Sequence, residues 1–210
     1  MKIGFIGTGQ ITKAVVTGVI NSKLKVSQIF LSERNKKISK ILKFKSKKIK
    51  IIKNNQDIIN KSDWVFLAVT PTVGNKILNS LKFNKNKMII SFISTINLTQ
   101  LKKITGLKSN IVRAIPLPPI ALCKGPVPIY PPNNKVKKFF DKLGSTVEIS
   151  NEKLSLNFWT TSAMMTPFYE ILYSLSNWLV KRGIKKENAQ KYISSLFLAL
   201  SEDAFNHKKN

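Results

Sequence analysis

The first ten residues limit what this chain can fold into more than any other stretch. Lys2–Ile6 is a short apolar run, and Gly7-Thr8-Gly9 interrupts it. Gln10–Asn21 then carries Ile11, Ala14, Val15, Val19 and Ile20 close to a 3.6-residue period. Strand, glycine turn and helix in this order form the phosphate-cradling unit of a dinucleotide-binding fold. The first glycine permits the tight turn, and the second lets the backbone approach a pyrophosphate. The helix N-terminus then meets that anion with amide N–H groups and the positive end of its dipole. The third position of the fingerprint usually holds Gly or Ala, and here it is Thr12. The turn Gly7, Thr8, Gly9 therefore predicts a bound nicotinamide or flavin dinucleotide.

The pattern continues as an alternation of strands and helices. Apolar runs at Gln28–Leu31, Ile49–Ile52, Asp63–Val69, Lys87–Phe92 and Asn110–Ala114 read as strands. Helical periods separate them: a lysine-rich one ending near Phe44, then Asn55–Asn60, Val73–Leu81 and Leu98–Ile104. Such β-α-β alternation predicts a parallel sheet, and the unbroken apolarity of DWVFLAV predicts a strand buried on both faces. Between Pro116 and Pro132 lie seven prolines, which exclude helix and predict a loop with an edge strand at Val127–Tyr130. A helix at Lys135–Leu143 and a strand at Thr146–Ile149 follow. Beyond Asn151 only helical patterns appear, at Phe158–Met165, Phe168–Lys181 and Asn188–Phe205. The expected fold is α/β: a Rossmann-type doubly wound parallel sheet over residues 1–150, then a smaller all-helical domain over 151–210.

Charge narrows the choice of ligand. Lys and Arg number 36 against 10 Asp and Glu, a formal net charge of +26. The lysines are scattered over predicted helix faces and turns and accompany many Asn and Ile. That mixture reads as a coding-sequence bias, so no nucleic-acid partner is expected. The field still favours small anionic ligands by long-range steering. The single cysteine, Cys123, excludes an intrachain disulfide and a cysteine metal cluster, and reads as a small buried residue. No metal site is expected. His207 lies near the end and reads as a frayed tail. No apolar run is long enough to span a bilayer, and a cytoplasmic setting is expected.

The ends of the predicted strands hold the candidate site. After the second strand comes Ser32-Glu33-Arg34-Asn35. Glu33 could hold the ribose hydroxyls of NAD. Arg34 could instead stack on adenine and hold the 2′-phosphate of NADP, with Ser32 and Asn35 donating hydrogen bonds, and the positive surroundings favour NADP. Ala68-Val69-Thr70-Pro71 and Ser91–Ile96 end the next two central strands and are expected to line the crevice.

IGFIGTGQ, AVTP, ISFIS and Val112-Arg113-Ala114-Ile115-Pro116, in this order and spacing, resemble the pyrroline-5-carboxylate reductases. The resemblance implies a Rossmann domain with a helical dimerisation domain, and hydride transfer from NADPH or NADH to a cyclic imine carboxylate, giving proline. It implies cofactor contacts at Gly7, Gly9, Gln10, Ile11, Arg34, Asn55, Val69, Thr70 and Pro71, with Pro116 near the nicotinamide. It also implies a homodimer or larger homo-oligomer through the C-terminal helices. Residues 1–150 carry the motifs, whereas 151–210 match by helical pattern, including Leu179–Ile184.

Three departures stand out. Leu117-Pro118-Pro119 replaces the family's Asn-Thr-Pro, and Thr161-Ser162-Ala163-Met164-Met165-Thr166-Pro167 replaces its glycine-rich substrate segment. The chain also stops short of the family's Gly-Gly-Thr-Thr element, which marks it as a shortened or divergent relative. Thr161, Ser162 and Thr166 are the candidate substrate-side residues, their hydroxyls available for a carboxylate or a water. Trp159, Met164, Met165, Phe168 and Trp178 read as dimer or domain core. Lys181 would matter only if the substrate were a ketone or hydroxy acid needing a proton donor. The alternatives are a reductase of another small carboxylate and a non-catalytic NAD(P)-binding regulatory protein.

Overall fold

Side chains along the central strands alternate between two separate cores, and this makes the sheet two-sided. In the computed structural model, which describes residues 1–207, Ile3 and Phe5 of β1 (Lys2–Ile6) enter one core and Ile6 enters the other. Phe66 of β4 (Trp64–Leu67) joins the first core, and Val65 and Leu67 join the second. In β5 (Met88–Ser91), Met88 and Ile90 oppose Ile89 in the same way. Successive strand side chains point to opposite faces, so a strand covered on both sides must be apolar throughout. Phe5 stacks on Phe66 with centroids 4.5 Å apart, tying neighbouring strands together in the first core.

The sheet has eight strands in the order β3-β2-β1-β4-β5-β6-β7-β8. The outer members are β2 (Gln28–Ser32), β3 (Ile49–Ile52), β6 (Ile111–Ala114), β7 (Pro126–Tyr130) and β8 (Ser145–Glu148). Only β6 and β7 pair antiparallel. The chain starts at the centre, winds outward to β3, and returns to place β4 against the other side of β1. That reversal leaves a crevice at the carboxyl ends of β1 and β4. Helices α1 (Gln10–Asn21), α2 (Lys36–Lys45) and α6 (Asn134–Phe140) supply the first core. Helices α3 (Asn55–Lys61), α4 (Pro71–Leu78) and α5 (Leu98–Thr105) supply the second. The doubly wound α/β fold expected from the sequence is present.

The proline-rich stretch departs from expectation twice. Pro118–Leu122 forms a 3₁₀ turn rather than a loop. Its prolines occupy the first positions, where the missing N–H has no intrahelical partner to lose. Strand β7 is also internal, between β6 and β8. It holds β8 through the carbonyls of Gly125 and Ile129, and it faces β6 through Pro128 O, which accepts from Ile115 N–H at 3.1 Å. Residues 126 and 128 thus turn their nitrogens towards β6, whose paired residues end at Ala114 opposite Ile129. Pro128 cannot return the bond to Ile115, so the ladder stops there, at its end, where prolines are tolerated.

The chain divides into two compact units, the first ending at Ser155 and the second starting at Leu156. The second consists of α7 (Ser155–Ser162), α8 (Met165–Val180) and α9 (Lys186–Asn206). Phe168 meets Phe197 edge to face where α8 and α9 pack together, and Arg182 lies 3.8 Å over the Trp178 ring. Gly183, at φ +92°, makes the turn between them. Of the described residues in this unit, only Ser176, Ala189 and Ile193 are buried. Met164, Phe168 and Trp178, expected in a dimer or domain core, are 62%, 38% and 52% exposed in the single chain, because three helices cannot cover one another on every side. His207 is also more ordered than a frayed tail. Helix α9 runs to Asn206, and His207 Nδ1 lies 2.9 Å from the Asp203 carboxylate.

Candidate functional site

The carboxyl ends of β1, β2 and β4 surround a cleft of about 580 Å³ lined by Gly7, Thr8, Gly9, Arg34, Asn35, Lys36, Ala68, Val69 and Thr70. Its floor is the glycine turn, and buried hydroxyls hold that turn in place. Gly7 N–H donates to Ser32 Oγ at 3.0 Å, and Thr8 Oγ1 donates to Ser32 O at 2.7 Å. Thr8 and Ser32 also share a 3.0 Å hydroxyl contact. The Thr8 proton is already committed, so Ser32 supplies the proton of that contact. Thr12 Oγ1 donates to Gly7 O at 2.7 Å and is fully buried. The departure from Gly or Ala at position 12 is thus a brace under the turn.

The two glycines serve different ends. Gly7 has φ +100°, and a Cβ there would run into the Ala68 carbonyl oxygen. Its backbone and its close approach to β4 both require glycine. Gly9 has an ordinary φ of −94°, and a Cβ built on it meets no atom within 4 Å. Nothing in the protein itself demands glycine there. No side chain caps the N-terminus of α1, and no acid stands in its first turn. Those amides and the dipole end are thus open to an anion in the cleft.

A second hollow of about 240 Å³ adjoins the cleft, sharing Arg34, Lys36 and Val69 and adding Ser32, Glu33, Lys53, Asn55 and Ile77. Asn35 Oδ1 accepts from Ile38 N–H at 3.1 Å and caps α2. The corresponding cap of α3 is Asn54, which accepts from Gln56 N–H at 2.8 Å, so the Asn55 side chain lines the hollow instead. Ser32, expected as a donor to a 2′-phosphate, is only 3% exposed and bonded under the glycine turn. Lys36 and Lys53 were not singled out by sequence. Each directly follows a recognisable boundary, but the surplus of lysines hides them.

Other expected residues lie apart from these spaces. Gln10 is exposed and Ile11 half-buried at the start of α1, and neither lines the cleft. Pro71 opens α4, and its side chain lies outside the described ones. Pro116 is buried just beyond β6. Near it, Arg113, 4% exposed, pairs with Glu152 at 2.6 Å and donates to Ser94 O at 2.7 Å. Glu152 also accepts from Leu98 N–H at 2.7 Å. One buried guanidinium thus fixes the loop after β5, which the sequence places on the crevice. Glu152 carried no local signal, since it lies 39 residues from Arg113.

In the helical unit, Thr161 and Ser162 both donate to Phe158 O, at 2.9 and 2.8 Å. Their protons are spent on their own helix, which leaves lone pairs rather than donors for a ligand. Thr166 is exposed in the first turn of α8, and Lys181 is the exposed C-cap of that helix. Cys123 is half-buried, with its thiol 3.5 Å from Gly18 O. Among the described residues, no cluster of His, Cys, Asp or Glu could hold a metal ion, and no helix is long and apolar enough to cross a membrane.

Comparison with known proteins places this geometry among its relatives. Residues 2–95 match the family described as NADP oxidoreductase, coenzyme F420-dependent. Pyrroline-5-carboxylate reductase 3 of Danio rerio is 28% identical over 128 residues, covering 60% of this chain and 44% of that protein. The chain thus spans less than half the length of that relative in the match. Pyrroline-5-carboxylate reductase of Haemophilus influenzae is 23% identical over 95% of this chain and 77% of its own. The crystal structure of Plasmodium falciparum pyrroline carboxylate reductase, with NADP bound, has the same fold. It superposes with a TM-score of 0.82 at 21% identity, covering all of this chain and 80% of that one.

Proposed function

We propose that this relative of the pyrroline-5-carboxylate reductases is an NAD(P)H-dependent reductase that adds hydride to the C=N carbon of pyrroline-5-carboxylate, giving proline. The observation that carries this reading is Gly9: an L-residue would fit the backbone and the protein packing, and close approach of a ligand to the turn supplies the reason for glycine. The amides opening α1 and the Gly7–Gly9 turn would hold the pyrophosphate. Arg34, Asn35 and Asn55 would hold the adenosine half, with Val69 and Thr70 along the wall.

When bound, the nicotinamide supplies hydride to a protonated imine, and that chemistry needs little acid–base machinery. The chain's own work is to bind, orient and exclude water. The Arg113–Glu152 pair serves orientation by holding the loop after β5. The net charge of +26 steers an anionic substrate. Residues 1–150 are the dinucleotide domain in this reading, and 151–210 are the oligomerisation and substrate domain.

Homodimerisation accompanies the proposal. Leu156, Tyr173, Tyr192, Leu198 and Phe205 are all more than half exposed, and so large an apolar surface marks an interface. The lone, unpaired cysteine fits a reducing compartment, the cytoplasm. The test is oxidation of NADPH or NADH by the full chain with pyrroline-5-carboxylate, with proline as the measured product. Dinucleotide binding without turnover would instead favour a regulatory protein. The engaged hydroxyls of Thr161 and Ser162 are the observation on that side.

A further inference from the structure

Positive charge is not spread evenly over this protein. Residues 1–56 hold 14 Lys and Arg and one acid, Glu33, which is half of the net charge in about a quarter of the chain. Helices α1 and α2, which cover the first core, contain no acid. The next acid, Asp57, belongs to α3 in the second core, behind the sheet. Helix α2 is the densest part: five of its ten residues are Lys, and Lys47 and Lys48 follow in the turn to β3. A coding bias accounts for many lysines, but not for an exposed phenylalanine among them.

Burial divides α2 into two faces. Ile38, Ser39 and Leu42 are buried towards the sheet. Lys37, Lys40, Ile41 and Phe44, spaced i, i+3, i+4 and i+7, share the opposite face, and all four are exposed. Phe44 is 90% exposed, more than any other large apolar side chain among the described residues. The flanking lysines turn aside: Lys43 Nζ donates to Ile49 O at 2.7 Å, and Lys45 Nζ lies 3.4 Å from Thr17 Oγ1. Among the described residues, none of the ion pairs involves Lys37, Lys40, Lys47 or Lys48. An isolated exposed apolar residue is ordinary. Here Ile41 stands one turn before Phe44 with cations on both sides, which is the pattern of a helix that rests in a bilayer interface.

We propose that the outward face of α2 docks this protein on an anionic lipid bilayer, with Phe44 and Ile41 entering the acyl boundary and Lys37, Lys40, Lys47 and Lys48 meeting the headgroups. Charge complementarity selects the partner, since a helix face with four uncommitted cations and no acid is attracted to a negative surface. The apolar pair selects lipid over nucleic acid. Ile41 has no aromatic face to stack on a base, whereas both side chains gain by leaving water for the acyl boundary. The long lysine stems can lie along that boundary with their ammonium groups at headgroup level. The docking is independent of the dinucleotide reading, because Lys37, Lys40 and Phe44 line neither the cleft nor the hollow.

Co-flotation of the full chain with lipid vesicles tests the proposal. The wild-type chain is expected to float with equimolar phosphatidylcholine and phosphatidylglycerol, and to stay behind with phosphatidylcholine alone. Added salt should weaken the binding by screening the lysines. Lys37→Gln with Lys40→Gln is expected to lower the vesicle partition coefficient about twentyfold, at about fivefold per lysine. Phe44→Ser is expected to lower it at least about fivefold. Phe44→Trp should retain it, with the added emission quenched by brominated lipid. Lys102→Gln with Lys103→Gln removes the same charge from exposed residues of α5, on the other side of the sheet, and is expected to change it less than about twofold. All these positions are exposed, so the variants are expected to fold, which thermal unfolding checks. Failure of the wild type to float, an equal loss in the α5 pair, or an unchanged partition in Phe44→Ser would overturn the proposal. Tighter binding of duplex DNA than of vesicles through the same lysines would also overturn it and assign the face to nucleic acid.

Discussion

Replacing Gly9 by valine separates folding from binding at a single atom position. The backbone at Gly9 is extended, with φ −94° and ψ −167°, a region that valine adopts readily. An added Cβ meets nothing within 4 Å, so no cavity is overfilled. Removing glycine stiffens the unfolded chain, worth about 0.4–1 kcal/mol in favour of folding. Losing glycine at the N-cap of α1 costs a comparable amount, since valine caps poorly. The two offset to within about 0.5 kcal/mol, a shift of about 1–2 °C in melting temperature for a chain of this size. Binding behaves differently. The side chain would stand where the pyrophosphate approaches the α1 amides and would remove at least two charge-assisted hydrogen bonds. At about 1.5 kcal/mol each the loss is about 3 kcal/mol, or more than a hundredfold in Kd. Calorimetry with NADPH and NADH, beside thermal unfolding, reads both quantities. Gly7→Ala is the contrast, because φ +100° and the Ala68 carbonyl make it a folding defect. A Gly9→Val chain that kept its dinucleotide affinity would refute the assignment of the turn. One that unfolded would refute the claim that the fold tolerates a side chain at this position.

Three further outcomes follow from the same contacts. Thr12→Val leaves the buried Gly7 carbonyl without its hydroxyl donor and should cost about 1–3 kcal/mol in denaturant unfolding, with weaker dinucleotide binding as the turn loosens. Glu152→Ala strands the buried Arg113 guanidinium and should cost about 3 kcal/mol, whereas the double variant Arg113→Met/Glu152→Leu should recover part of it, as urea melts would show. Tyr192→Glu with Leu198→Glu places charges on the apolar helical surface and should convert a dimer to monomer in sedimentation velocity, while leaving unfolding of the first unit unchanged.

Much of this molecule is written locally. The central strands β4 and β5 were visible as apolar runs, because a strand covered on both faces must be apolar at nearly every residue. The helices between them were visible as 3.6-residue periods for the same reason of burial. The glycine turn was legible because φ +100° at Gly7 restricts residue type by itself. The failures concern partners distant in sequence. The prolines of β7 suggested an edge, yet the strand is internal because its nitrogens face β6 where that ladder ends. Met164, Phe168 and Trp178 suggested a dimer or domain core, and their exposure here shows that the same chain does not cover them.

The site divides along the same line. By itself the sequence determined that Gly7-Thr8-Gly9 closes a strand and opens a helix, the local geometry that an anion-binding turn requires. Only the tertiary structure decided that Ser32, Thr8 and Thr12 form the brace beneath it, that Glu152 answers Arg113, and that Lys53 stands level with Glu33. The physical reason is that backbone preference and burial period act over a few residues. Charge pairing and hydroxyl networks depend instead on which strands become neighbours, and the packing of the whole sheet settles that.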